Sequence, residues 1–326
     1  MRDGPATVFD LVDRYGMQCQ ASRSATVHMA HSPAGLTYLR DRCRQLQEIG
    51  AGVEMLDGAA TQALSASPAY RHGGILDPGA GTIQPLSYAR ELARCAIERG
   101  ARLYQQSALQ SLRRDGEGWL ASAASGQVRA GQVILATNAY ADSASQGVRE
   151  SIVPVYIFHF ATAPLPGTLA EELIPARQGL WDTHTLLTSS RIDEDGRLVM
   201  SFPGRLHGGQ RATREAFATR RRNFLYPQTR HVPWEYCWTG RVGVTSGNLL
   251  RVQEPAPGLF APAGYNGRGI GTGSVIGREL ARLVAGGARD DFPFPLQPLY
   301  RERWRGPRGA YYDYGTLALQ LLSQRF

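Results

Sequence analysis

The run GLFAPAGYNGRGIGTGSVIGRELARLVAGG, residues 258–287, constrains this chain more than any other stretch. A short apolar strand, a turn carrying Gly264, Gly267, Gly269, Gly271 and Gly273, and an amphipathic helix follow one another. Glycines at such a turn let bare backbone N–H groups approach an anionic or carbonyl-bearing ligand, helped by the helix dipole. The same glycines also suit a tight strand-to-helix connection that needs them only for packing, and both readings stand. The dinucleotide fingerprint GxGxxG is not met, because its last position falls on Ser274 or Ile276. An acidic residue some 20 positions further on is also missing.

Upstream, Leu36, Leu39, Leu46 and Ile49 recur at helical spacing, and Gly50 supplies a stop. VEMLDGAATQAL reads as a short strand and a second helix. His72 to Pro85 is dense in glycine and proline and reads as turns around short strands. Leu86 to Arg99 is an amphipathic helix ended by Gly100. The following ARLYQQSALQSLRRDGEGWLASAASGQVRAGQVILAT reads as a strand, a hairpin, and then a buried run from Val133 to Ala136 whose end carries Thr137, Asn138 and Ala139. Ligands of α/β folds favour such strand ends. From Ile152 to Tyr236 the texture changes to short extended segments, with a turn at Asp195 and Gly196 and one helix around Arg214 to Phe224. This predicts a mostly antiparallel second domain.

A chain of 326 residues, 43% hydrophobic and 20% charged, suits two interleaved domains or one large α/β body. No apolar stretch approaches the roughly 18 residues of a spanning helix, and the opening MRDGPATVFDLVDRYG is charged, so a cytoplasmic protein without a membrane span is expected. Cys19, Cys43, Cys95 and Cys237 lack paired CxxC spacing and read as free thiols, with no metal site. The net charge of +8 comes from scattered arginines, which argues against nucleic acid and for a general pull on anionic ligands. The densest cluster, Arg220, Arg221 and Arg222, reads as a solvated helix face. GxSxG, HExxH and P-loop motifs are absent. His28, His31, His72, His159, His184, His207 and His231 form no spaced cluster, and each reads as a surface or satisfied core residue.

Taken in order, FDLVDRYGMQC, GGILDPGAGTIQPLSYARELARCAIERGARLY, QVILATNAYA, VPVYIFHFATAPL, RIDEDGRLVMSF, the WTG of 238–240 and GLFAPAGYNGRGIGTGSVIGRELARLVAG resemble the D-amino-acid-oxidase-like family of FAD-dependent oxidoreductases. The likeness is to the branch containing gamma-glutamylputrescine oxidase. It implies an α/β (α+β) fold: a split FAD-binding domain of the glutathione-reductase-like type, interrupted by a mostly antiparallel substrate domain with helices. The implied division is 1–84 mainly substrate-domain elements, 85–150 FAD-binding, 151–237 substrate, 238–290 FAD-binding with the flavin loop, and 291–326 a C-terminal tail.

The resemblance also implies roles. Ser107 to Leu109 would touch the adenosine end of FAD, Thr137, Asn138 and Ala139 would lie against the cofactor, and Gly240 would border it. Gly264, Tyr265, Asn266, Gly267, Arg268, Gly269, Ile270, Gly271 and Thr272 would wrap the flavin ring. The implied chemistry is hydride transfer from the carbon beside an amine to the flavin, giving an imine that hydrolyses. Such a step needs the amine held in place more than it needs an acid or base, so no catalytic residue is assigned. His159, Arg191, Trp238, Tyr265 and Arg268 are candidates to face the substrate; for Arg191 and Trp238 a salt bridge and a core aromatic are equally compatible.

Members of that family open with a βαβ unit bearing GxGxxG, which this sequence does not show. The expectation is therefore an FAD-binding domain without its first βαβ unit, with an exposed strand edge that costs solubility or takes a partner chain supplying the nucleotide-binding half. Three readings are open: a working oxidoreductase whose opening segment lies outside this sequence, a non-catalytic small-amine-binding or accessory protein, and an inactive remnant.

Overall fold

A computed structural model describes residues 3–206 and 209–323; His207 lies outside them. Helix α1 (Gly4–Tyr15) leads to β1 (Thr26–Met29), α2 (Pro33–Glu48), β2 (Glu54–Leu56), α3 (Gly58–Ser65) and β3 (Gly74–Asp77). Next come α4 (Pro85–Glu98), β4 (Ser111–Asp115), β5 (Gly118–Ala123), β6 (Gly126–Ala130), β7 (Val133–Ile134) and α5 (Gln146–Glu150). The middle of the chain holds β8 (Val153–Thr162), α6 (Leu169–Glu172), β9 (Gly179–Asp182), β10 (Ser189–Ile192), β11 (Leu198–Pro203) and α7 (Arg211–Leu225). It closes with β12 (Trp234–Val244), β13 (Arg251–Ala256), β14 (Leu259–Ala263), α8 (Gly269–Val284), β15 (Leu296–Gln297) and α9 (Arg305–Leu322).

Local chemistry sets the helix starts. Ser32, Asp57 and Gln84 each turn a side chain back onto a backbone N–H two or three residues into α2, α3 and α4, and prolines occupy the first turns of α2 and α4.

Eight strands form the large sheet in the order β12–β8–β11–β10–β9–β1–β3–β2. Every neighbouring pair is antiparallel except β1 with β9. One face is a core in which Phe158, Phe160, Met200 and Phe202 pack with Phe217 and Leu225 of α7. Strands β1, β9 and β10 alternate buried and half-buried positions, so the opposite face is only partly covered. A second sheet, β15–β13–β14–β7, is mixed and packs Val252 and Phe260 against Ile276, Leu280 and Leu283. Helix α1 lies on α8 so closely that a Cβ on Gly4 would come within 3.3 Å of the Gly271 backbone. Strands β4, β5 and β6 form a separate antiparallel sheet. This is the mixed α/β architecture expected, with the large sheet almost wholly antiparallel.

Several expectations are corrected. The strand and hairpin expected between 101 and 132 are present as β4, β5 and β6, but they begin only at Ser111; residues 101–110 are irregular, with Gln110 donating to the Ser122 carbonyl of β5 at 2.8 Å. Val133 to Ala136 is not buried, since β7 is two residues long at the edge of its sheet and Ile134 is 41% exposed. The expected boundary between 237 and 238 falls inside β12, which pairs with β8 of the large sheet from Trp234 to Val244. Within 291–326, β15 joins the second sheet and α9 packs on α7 and β8. Finally, only Arg220 of the arginine cluster is exposed. Arg221 reaches Asp182 at 2.7 Å, and the two side chains are 3% and 0% exposed. Arg222 donates to the carbonyls of Val232 and Arg230. A helix that covers a sheet has no solvated side there, and its arginines persist by finding partners.

Candidate functional site

Three chain segments meet where β12 leaves the large sheet. After β14 the backbone enters the left-handed region at Gly264, Asn266 and Gly267, with φ of 81°, 52° and 83°. A side chain at Gly264 would place its Cβ 2.4 Å from Thr245 Cγ2, so glycine is required there on both counts. Asn266 ties this turn to β12: its backbone N–H donates to the Gly243 carbonyl at 3.1 Å, and its Oδ1 accepts from the Thr245 N–H at 2.9 Å. Asn138, itself at φ 41°, accepts from the Gly264 N–H at 3.1 Å. The carboxamide of Asn138 occupies the space that a Cβ on Gly243 would need, at 2.5 Å.

Thr137, Asn138 and Ala139 are thus brought against the turn, and the adjoining Tyr140 hydroxyl accepts from the Arg241 N–H at 3.0 Å. Gly240 is close by, within reach of the same hydroxyl. Helix α8 begins at Gly269, so Gly269, Ile270, Gly271 and Thr272 form its first turn instead of a loop. No side chain caps that turn at Arg268, and an uncapped helix start presents N–H groups to a ligand. Tyr265 packs back on the turn, its ring edge 3.9 Å from where a Cβ on Gly273 would stand, and burial raises its phenol pKa. Ser107 to Leu109 is not part of this convergence: it lies in the irregular stretch before β4, and among the described residues no hydrogen bond joins it to the other segments.

The half-buried face of the large sheet is the second component. Strand register places Trp238, His159, Ser201, Ser189, Trp181 and His28 in one row across six strands. His159 stacks on Trp238 with ring centroids 5.0 Å apart and planes 10° from parallel, and its Nδ1 lies 2.6 Å from the Ser201 hydroxyl. Trp238 is 43% exposed, so it is no core aromatic. His28 stacks on Trp181 at 5.1 Å. Burial lowers both imidazoles to about 4, with positive charge from Arg191 adding to the effect on His159 and from Arg42 on His28. Both rings are therefore neutral at pH 7. Arg191 stands one row further along, opposite Val199, on the same face.

Ser201, Ser189, Trp181 and His28 were not readable as site residues. The only sequence signal for them is alternation within short strands, which shows that a residue faces outward but not what it faces. His31 and His184 likewise come together, 5.0 Å between centroids, from 153 residues apart.

Residues 1–283 match the family model described as FAD dependent oxidoreductase. The chain belongs to that family. Over 324 residues it is 27% identical to the gamma-glutamylputrescine oxidoreductase of Escherichia coli, covering 96% of this chain and 75% of that protein. It is 28% identical over 220 residues to the probable oxidoreductase OrdL of Haemophilus influenzae, covering 66% of this chain and half the length of that relative. The fold is that of the glycine oxidase of Geobacillus kaustophilus, with a TM-score of 0.74, 22% identity, and coverage of 92% of this chain and 80% of that one. Family membership makes FAD the cofactor against which the site is to be tested. Among the described residues no helix is long and apolar enough to cross a membrane.

Proposed function

We propose that the chain is an FAD-dependent oxidoreductase acting on the C–N bond of a small amine or amino acid, a gamma-glutamylputrescine-like amine among the candidates. The observation that carries this reading is the meeting of the Asn138 segment, the end of β12 and the glycine turn at an uncapped helix start, beside a half-buried face of neutral polar and aromatic side chains. When bound, FAD supplies the acceptor for the hydride. Gly264, Tyr265, Asn266, Gly267, Arg268, Gly269, Ile270, Gly271 and Thr272 would wrap the ring; the N–H groups of Gly264, Asn266 and Arg268 are engaged within the turn by Asn138, Gly243 and Tyr265, which leaves the first turn of α8, Gly269 to Thr272, to present N–H groups and the positive end of its dipole to it. Asn138 holds that turn in shape, and Thr137, Ala139 and Gly240, beside it, are proposed to lie against the cofactor. Leu109 is proposed to border the adenosine end.

On the sheet face, Trp238 and His159 offer a flat wall, and Arg191 a positive charge, to a substrate lying over the ring. A neutral imidazole does not repel an amine, which suits His159. No side chain is assigned as a base, because orientation does most of what the step requires.

A specific observation favours a second reading, a non-catalytic small-amine-binding or accessory chain that does not hold FAD by itself. The outer edge of β7 is unpaired and the outward side of α4 is apolar, with Leu86 and Ile97 exposed. A nucleotide-binding half supplied by a partner chain would cover both.

The test is to purify the chain, record its visible spectrum, titrate it with FAD, and add amines without oxygen. Saturable flavin that bleaches with an amine supports the first reading. A colourless chain that FAD does not saturate supports the second.

A further inference from the structure

Helix α9, with Trp304 just before it, carries a continuous apolar stripe. Trp304, Tyr311, Tyr314, Ala318, Leu321 and Leu322 recur at helical spacing, and at 3.6 residues per turn they fall within an arc of about 120°. All six are exposed, and Trp304, Tyr311 and Leu322 are exposed by 71%, 75% and 78%. From Gly309 to Ser323 the sole charged residue is Asp313.

A surface helix ordinarily turns its apolar stripe to the core and its polar residues to water. Helix α9 does the reverse. Asp313 takes Arg205 at 3.4 Å, and Thr316, Gln320 and the Asp313 carbonyl receive the fully buried Arg214 of α7. Gln320 also donates to the Pro203 carbonyl of β11 at 2.9 Å. Rolling the helix to hide its stripe would strand a buried guanidinium, which is costly. The polar side is thus fixed inward, and a stripe about 27 Å long is held outward. An exposed apolar surface of this kind marks a place of contact.

We infer that α9 lies in the surface of an anionic lipid bilayer, its stripe among the headgroups and the upper acyl chains. The charges beside it select this occupant. Between residues 296 and 326 the acids are Glu302 and Asp313, with side chains 0% and 11% exposed, both turned inward onto arginines. Arg301 and Arg303 stand outward at the start of the helix. The adjoining side of α7 exposes Arg211 and Arg220, with one acid, Glu215, 4.0 Å from Arg211. Ala212, Thr213, Ala216 and Arg220 of α7 share an open groove with Leu321, so the basic and apolar surfaces are continuous.

Two copies pressed together along α9 would set arginine against arginine, with no outward acid on the helix to answer it. Lipid phosphates answer it. Tryptophan and tyrosine, with apolar rings and polar tips, suit the headgroup layer. A helix apolar along one stripe lies on a bilayer and does not span it, in keeping with the lack of any spanning helix among the described residues.

The experiment floats the purified chain with vesicles of phosphatidylcholine alone and of phosphatidylcholine and phosphatidylglycerol in equal parts, at about 0.05 and 0.5 M salt, and follows tryptophan emission. Binding to the mixed vesicles at least about tenfold tighter than to phosphatidylcholine is expected, weakened by salt. It should come with a blue shift that Trp304→Phe removes. The double variant Tyr311→Glu, Leu322→Glu should weaken binding about tenfold or more, and Arg303→Gln about fivefold. No binding, equal binding to both vesicles, a shift that survives in Trp304→Phe, or an unaffected double variant overturns the inference. So does a dimer in sedimentation without vesicle binding, which would give the stripe to a second copy. If the double variant does not fold, the lipid comparison and Trp304→Phe still decide. Membrane binding of this kind needs no flavin, so its failure leaves the oxidoreductase reading standing.

Discussion

Asn138 is the residue on which the candidate site depends most. Its left-handed backbone and its carboxamide together fix the Gly264 N–H, and the same carboxamide fills the space beside Gly243. Replacing it by alanine strands a part-buried donor, so Asn138→Ala should lose about 1–3 kcal/mol in urea unfolding and weaken FAD in a titration followed by flavin fluorescence. Asp182 is the corresponding residue beneath the large sheet. It receives Arg221, the Tyr70 hydroxyl and the N–H groups of His184 and Thr188, all on one carboxylate. Asp182→Ala leaves a buried guanidinium uncompensated and should cost about 3–5 kcal/mol, read as a lowered unfolding midpoint; an apolar replacement of both partners should cost much less. Neither effect is a matter of surface charge, so added salt should change neither by much.

At the scale of elements, β14, the glycine turn and α8 act as one unit. The turn must bend left-handed, and the strand feeding it is fully buried, so neither side can shift to admit a side chain. Gly264→Ala should therefore destabilise by more than about 1 kcal/mol and lower FAD affinity without altering helix content by circular dichroism. Helix α4 behaves differently. It buries Tyr88 and Cys95 on one side and leaves Ile97 51% exposed on the other. Ile97→Lys should change the stability of the isolated chain by no more than about 0.5 kcal/mol. If a partner covers that side, the same substitution should weaken its binding, measured by sedimentation.

The whole molecule carries two imidazoles, His28 and His159, with pKa values lowered to about 4 by burial. Between that value and the ordinary 6.5 the unfolded chain binds protons that the native chain refuses. Stability therefore falls as the pH drops through this window, by at most about 1.4 kcal/mol per pH unit for each group, and their contribution is flat below it. Unfolding midpoints at pH 7, 5.5 and 4.5 should decline in that order, and the decline should flatten when both histidines are replaced by glutamine.

Much of this molecule follows from local sequence. Helices α2, α4 and α7, the turn at Asp195 and Gly196, and the succession β14, glycine turn, α8 depend on periodicity and on glycine or capping residues that lie within a few positions of one another. Family membership was legible for the same reason, as a set of short motifs in order. The tertiary structure decided whatever depends on partners distant along the chain. Arg221 is buried because Asp182, 39 positions away, compensates its charge. Trp238, His159 and Ser201 share a row only because three strands pair in one register, and a shift of one residue in any of them would send its side chains to the other face.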